Sequence, residues 1–567
     1  MISISGKKWI ERKINKNSIE KIKQDYKFSY LLSKLIISRN FNLNEINAIN
    51  NNLKVTNVFK NIKDFNESSD LLMKSIQKKE IICILGDYDV DGSTATSLFV
   101  RYFNHIKQPH FYYIPDRKKD GYGATKKLFE KLILKRPNLV IMVDCGSTSN
   151  DAIEFLKKNN IKSIIIDHHE INKPYPKANV IINPKKNNGY IDYDYFCATA
   201  LTYFFLDVLI KKNKSDFKLS DYLVYVLLAT VCDVMPLRKI NKTIASNVIE
   251  NFKISENITF NYLCEQIKLK KKLSIDDLGF LIGPIINSGG RLGYSNYGTE
   301  LLVSDNPNVI KKKSIQLIDL NNKRKIIEQK ILNEINFEKI KMENKNVIIY
   351  YNRNIHEGLI GIIASRLKDY FNKPSIVITQ SNNILKGSAR STKNYNIGNL
   401  IKLLCDKKII LNGGGHNMAA GFTIKKNNIQ LLDEFIQNDY SKKISHSDLY
   451  FNYDLEISAS AINKKLLDEI YKLGPFGNDN FLPIFFIKNA KIIKSNILND
   501  KHVLSIIKPN TGSSFKSICF NCINTEIADY LLLYKKPINI ICEVKENIWN
   551  NKKTAQLNIK DLILKVN

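Results

Sequence analysis

The chain has 567 residues, 44% of them hydrophobic, with 86 Lys and Arg against 55 Asp and Glu for a formal charge of +31. That excludes a disulfide-stapled miniprotein and a disordered chain, and roughly one domain per 100–200 residues gives several globular domains. The charge invites a nucleic-acid partner, but Lys, Asn and Ile are abundant throughout, as in proteins of AT-rich genomes. The excess is spread as +6 over 1–50, +9 over 51–300, +11 over 301–450 and +5 over 451–567, so charge alone does not decide.

Met1–Lys13 has no apolar core of signal-peptide length. The longest apolar run, Tyr222–Cys232, is shorter than the about 20 residues a bilayer requires. No membrane partner is therefore expected, and nine scattered cysteines argue for a reducing cytoplasm. Cys519 and Cys522 form one Cys-x-x-Cys without a second pair, which reads as a strand carrying two cysteines rather than a zinc site.

In chain order, 1–50 reads as a helical segment. From 51 to 305 short β-branched runs (Ile81–Leu85, Val140–Val143, Ile164–Ile166, Val180–Ile182) alternate with helical stretches, the pattern of a buried parallel sheet in an α/β domain. Residues 306–342 read as a connecting helix, 343–448 as a second, smaller α/β domain, and 449–567 as a β-barrel of OB-fold size.

Because Lys is common here, the scarce residues are more telling. Sixteen of the 24 glycines cluster, and Arg117, Arg291, Arg366, Arg390 and His416 sit in or beside those clusters. Gly86-Asp87-Tyr88-Asp89-Val90-Asp91-Gly92 follows the first strand, and three carboxylates so close together need a hard cation. Asp144 follows the next strand and Asp167-His168-His169 the one after it. In open α/β sheets ligands bind at the carboxyl ends of the strands. Asp233, after an apolar helix, is a fourth acid in need of a partner. Mixed Asp and His ligation favours two Mn²⁺ or Mg²⁺ ions over structural zinc, and two such ions suit phosphoester hydrolysis. In the second α/β domain Arg390 is placed to grip a phosphate bidentately, the Gly413–Gly415 segment reads as a turn forming an anion nest beside His416, and Arg366 reads as structural.

Asp-Tyr-Asp-Val-Asp-Gly, Asp144-Cys145-Gly146, Asp167-His168-His169 and Asp233 resemble the DHH phosphoesterase superfamily. Pro115-Asp116-Arg117, Gly121-Tyr122-Gly123, Gly283–Gly293, His356–Gly361, Gly413–Gly421 and Leu473–Asn478 resemble its RecJ exonucleases. The likeness covers nearly the whole chain except 1–50. It implies a DHH domain, a DHHA1 domain and an OB-fold, and 5′→3′ degradation of single-stranded DNA to mononucleotides in recombination and repair. It carries over Asp89, Asp91, Asp144, His168 and Asp233 as metal ligands, with Asp144 bridging, His169 facing the scissile phosphate, Asp87 second to these, and Asp167 orienting a histidine. Arg117, Arg291, Ser388, Arg390, Gly414, Gly415 and His416 are implied to bind substrate. Single-strand-binding protein and a RecQ-type helicase are implied as partners of a monomer. Asn287-Ser288-Gly289-Gly290 departs from the alanines expected there, and the extra glycine is expected to loosen a loop. The alternatives are a DHH–DHHA1 enzyme for short RNA or cyclic dinucleotides, which the OB-like strands disfavour, and an inactive scaffold, which the retained ligand set disfavours.

Overall fold

The computed structural model describes residues 1–50, 54–116, 120–121, 123–186, 190–381, 384–444, 450–509, 514–534, 536–549 and 552–564. The chain packs as two units, one built from Thr56–Met235 with Val248–Ser445, the other from Met1–Val55, Pro236–Asn247 and His446–Asn567.

The larger unit holds two sheets. In the first, five parallel strands lie in the order His110–Tyr113, Ile82–Leu85, Leu139–Val143, Lys162–Ile166, Val180–Ile182. The central strands are buried along almost their whole length, as an apolar β-branched sequence between helix layers requires. Helix Val90–His105 packs against Ala198–Lys212 and Leu223–Cys232. The sequence pattern missed His110–Tyr113, an edge strand whose aromatic side chains are all half-exposed.

The second sheet runs Asn412–His416, Ala419–Ile424, Ile384–Arg390, Ser375–Ser381, Ile348–Tyr351 and is antiparallel except for its last pair. Helix Ile360–Phe371 covers part of one face and Ile397–Asp406 packs on the other. The expected connecting helix is Pro307–Glu334, followed by a separate short helix Phe337–Met342. Asn336 breaks it, because its side chain caps the new helix by accepting from Lys339 N.

In the smaller unit Ile484–Leu498, His502–Pro509, Phe515–Cys519, Lys552–Ile563 and Ile538–Trp549 form a five-stranded barrel. Closure follows from the first of these strands, which pairs with both His502–Pro509 and Ile538–Trp549. Lys552–Ile563 was not legible, being rich in Lys, Gln and Asn. The first 50 residues are not all helical: Lys8–Glu11 is a strand parallel to Tyr450–Tyr453, ahead of helices Lys16–Tyr26, Tyr30–Ser38 and Leu43–Asn47. Only Cys519 lies in a strand, as the last residue of Phe515–Cys519; Cys522 sits in the connection that follows, and both pack in the barrel core.

Lys242, in the same unit, is 4% exposed. Its ammonium lies 4.3 Å from the centre of the Phe41 ring, whereas the neighbouring Arg238 is paired to Glu45 at 2.7 Å. Burial, opposed by Glu45 and helped by Arg238, lowers the Lys242 pKa to about 8. A lysine whose folded pKa lies below its unfolded value destabilises the fold at neutral pH, and that cost fades as pH rises from about 8 to the ordinary lysine value. Lys242→Met is therefore expected to stabilise the fold, by on the order of 3 kcal/mol at pH 7. The gain over the parent should shrink between pH 8 and 10.5 in paired melting curves, and a pH-independent difference would contradict the assignment.

Candidate active site

Each strand of the parallel sheet ends at the same edge, and the turns there carry the chemistry. After Ile82–Leu85 the chain passes Asp87 and enters helix Val90–His105, with Asp89 as its N-cap accepting from Gly92 N. Gly92 must be glycine, since a Cβ there would lie 2.5 Å from the Asp87 backbone. Both oxygens of the buried Asp91 accept from backbone amides at the start of helix Ala198–Lys212, Oδ2 from Ala198 N and Oδ1 from Thr199 N, each at 2.7 Å. A helix N-terminus offers such unpaired amides and a favourable field for a carboxylate.

Asp144 follows Leu139–Val143 in a left-handed conformation (φ 59°), a strained geometry for a residue with a side chain. It is 1% exposed, and neither of its oxygens accepts a hydrogen bond among the described residues. His168, 4% exposed, points Nε2 at three carboxylates: Asp144 Oδ1 at 3.3 Å, Asp233 Oδ2 at 3.4 Å and Asp91 Oδ2 at 3.6 Å. Those contacts lack hydrogen-bond geometry, so Nε2 too is unsatisfied among the described residues. Buried polar atoms are normally paired, and an acceptor set turned inward on itself is what a cation site looks like. Potential ligand atoms fall into three groups, each within 4.8 Å: Asp87, Asp89, Asp144; Asp91, His168, Asp233; and Asp144, His168, His169. Asp144 belongs to two of them, and Asp87 stands in one beside Asp89 and Asp144.

Electrostatics agree. Burial, then repulsion from Asp91, Asp89, Asp87 and Asp233, drives the Asp144 carboxyl well above its ordinary pKa, and burial with Asp91 and Asp89 does the same to Asp233. Asp91 is raised to about 6, chiefly by burial. Asp167 differs: its Oδ1 accepts from the amides of His168 and His169 and contacts His169 Nδ1 at 2.8 Å, while Oδ2 accepts from Ser147 N. Burial opposes its ionisation, but the histidines outweigh it and hold Asp167 far below the carboxylate range. In turn, although burial disfavours a charged His169, Asp167 raises its pKa to about 9. Asp167 thus orients His169, as outer carboxylates do around metal sites.

The second sheet contributes the far wall. The His416 ring lies 5.6 Å from that of His169 and 6.3 Å from that of His168, nearly parallel to both. Arg390 is bonded to Ser388 Oγ at 3.2 Å and to its own strand at Ala389 O. Burial, then the charge of Arg291, lowers Arg390 to about 10. Arg291 Nη1 donates to Gly358 O at 3.3 Å. Gly361 leaves room beside them, since a Cβ there would lie 2.9 Å from Arg390 Nη2. Arg366 pairs with Glu328 on the connecting helix, a structural contact.

Two local expectations are corrected. Gly413–Gly415 is not a turn or an anion nest: it lies in the edge strand Asn412–His416, paired antiparallel with Ala419–Ile424, where a Cβ would lie 2.7 Å from Ile401 at Gly413 and 2.3 Å from Ala419 O at Gly415, while Gly414 faces open space. Asn287–Gly290 is not a loop but part of helix Gly283–Arg291, with Ser288 Oγ bonded to Ile285 O and Leu317 O and Asn287 Oδ1 accepting from Val90 N. Arg117 lies outside the described residues. Sequence reasoning missed the turn after the last strand. Buried Asn183 donates to Ser147 Oγ and to His169 O, and Lys185 follows, paired to Glu170 at 2.9 Å. The signal was available: Asn183-Pro184-Lys185 occupies the position in its strand's turn that the acids occupy in theirs.

If the cluster is strained by its own charge, Asp144→Asn should raise the melting temperature of the metal-free protein by several degrees and abolish the stabilisation given by Mn²⁺. Calorimetry with and without Mn²⁺ checks both, and an unchanged Mn²⁺ response would refute the claim.

Family models match the DHH family N-terminal domain at residues 81–230, the DHHA1 domain at 344–442 and the RecJ OB domain at 453–561. The chain is 26% identical to the single-stranded-DNA-specific exonuclease RecJ of Bacillus subtilis over 98% of its own length and 71% of the relative's. It is 28% identical to the protein of that name from Haemophilus influenzae, over 83% and 87% of the two chains. Its fold is similar to the crystal structure of RecJ with Mn²⁺ from Thermus thermophilus, with TM-score 0.81 at 19% identity, covering 99% of this chain and 80% of that one. Carrying all three domains in this order, the chain belongs to the DHH phosphoesterase family and to its RecJ branch.

Proposed function

We propose that the protein is a divalent-metal-dependent exonuclease that degrades single-stranded DNA from the 5′ end to mononucleotides, in recombination and repair. The observation that carries this reading is the buried pair of unsatisfied ligands, Asp144 and His168 Nε2, with the His416 ring of the second sheet 6.3 Å from that of His168. The donor set fits hard divalent cations: Asp87, Asp89 and Asp144 converge in one group, Asp91, His168 and Asp233 in another, and Asp144 with His168 and His169 in a third. When bound, two Mn²⁺ or Mg²⁺ ions supply Lewis-acid charge at the phosphate and a more acidic water.

The chain's own residues do the rest. His169, held by Asp167, faces the scissile phosphate and keeps a fixed orientation there. Arg390, Arg291 and Ser388 take the terminal phosphate, Arg with the planar fork that suits it. His416 and the side-chain-free strand at Gly414 and Gly415 let a nucleotide approach closely. The OB barrel supports a long strand as substrate over a dinucleotide.

The setting is a reducing compartment, the cytoplasm, in keeping with nine free cysteines. Among the described residues no helix is long and apolar enough to cross a membrane. A monomer working with single-strand-binding protein and a RecQ-type helicase completes the proposal, on family resemblance.

The test uses oligonucleotides labelled at either end, with Mn²⁺ or Mg²⁺. Mononucleotides should be released from the 5′ end of single strands, and Asp144→Ala should lower the rate by at least about a thousandfold. DNA binding by that variant should persist and weaken steeply with salt. Release from the 3′ end, or a preference for dinucleotides, would overturn the reading.

A further inference from the structure

The turn after Val180–Ile182 places a cation at the mouth of the acidic cluster that the reading above leaves without work. Asn183 is buried, holds the loop of His169 through the His169 carbonyl, and accepts from Lys185 N at 2.9 Å through its own side chain. That bond fixes the backbone at Lys185, and the side chain leads to Glu170, where Nζ sits 2.9 Å from Oε1. The same Glu170 oxygen is 3.7 Å from His416 Nδ1. One carboxylate oxygen therefore separates the Lys185 ammonium from the imidazole that covers His168 and His169. Its neighbour Lys186 is not equivalent, being turned to Asp64 at 3.4 Å.

The charge balance calls for such a group. Asp87, Asp89, Asp91, Asp144 and Asp233 carry more negative charge than two divalent ions offset, and a phosphodiester adds another. The Glu170 side chain, at 58% exposure, is a solvated partner for the lysine, and ion pairs of that kind contribute little. Exchanging Glu170 for a phosphate oxygen at the less hydrated cluster is thus an inexpensive move for Lys185.

We propose that Lys185 is a substrate-contacting residue, its ammonium leaving Glu170 to hold a non-bridging oxygen of the phosphodiester being cut. The assignment rests on the phosphodiesterase reading. A cation so placed stabilises the charge that grows on that oxygen as the bond breaks, so it acts on turnover more than on binding.

The test compares Lys185→Ala, Lys185→Arg and Asp144→Ala in the full-length, Mn²⁺-loaded protein on a 5′-phosphorylated single-stranded oligonucleotide. Lys185→Ala is expected to lower kcat by about thirtyfold or more, with KM, Mn²⁺ stoichiometry and melting temperature little changed. Lys185→Arg should recover most of the loss, because it keeps the charge. Lys185→Ala turning over within about threefold of the parent, or losing Mn²⁺, would overturn the assignment. If Asp144→Ala is inactive while Lys185→Ala is normal, only the Lys185 role fails; if both are normal, the phosphodiesterase reading itself fails.

Discussion

Buried negative charge is the constraint on which the rest of this structure depends. Asp144 and His168 are almost wholly removed from solvent, carboxylates of Asp91, Asp144 and Asp233 from three separate segments converge on the His168 ring, and the described residues supply no hydrogen bonds to Asp144 Oδ1 or Oδ2 or to His168 Nε2. Charge of one sign in a dry cleft is costly. A fold keeps such a site when a bound cation offsets the cost, and the strain at Asp144 shows the backbone bent to hold that carboxylate in place.

The architecture follows from delivering these groups. A parallel sheet brings successive strand ends to one edge, so acids far apart in sequence arrive side by side. Opposing charge comes from elsewhere: Arg291 from a helix end, Arg390 and His416 from the second sheet, Lys185 from the last strand's turn. Acidic groups at the strand ends and basic groups from other elements are the side chains that hard cations and a phosphodiester would each require.

Much of this was legible in the sequence, for physical reasons that can be named. Leu139–Val143 and Lys162–Ile166 are buried on both faces, so their apolar runs had no competing explanation. Asp89, Asp91, Asp144 and His168 stand directly after such strands, where side chains of that kind are costly without a ligand. What escaped was set by tertiary context. His110–Tyr113 is half-exposed and carries no strong pattern, and Lys552–Ile563 owes its place to its barrel partners rather than to its own composition. The glycines of 413–415 read as a turn because glycine usually marks one, yet here they keep an edge strand bare beside the site. Lys185 was hidden by the abundance of lysine, and only its place after Asn183 and its partner Glu170 set it apart. The overall charge, ambiguous at the start, gains meaning from where its arginines lie.

The central claim is that the cluster around Asp144 is a two-cation centre. Anomalous scattering from crystals soaked in Mn²⁺ tests it most directly. Two peaks roughly 3.5–4 Å apart are expected, with Asp144 between them and His168 Nε2 directed at one. A single peak away from Asp144, or none at saturating Mn²⁺, would contradict it.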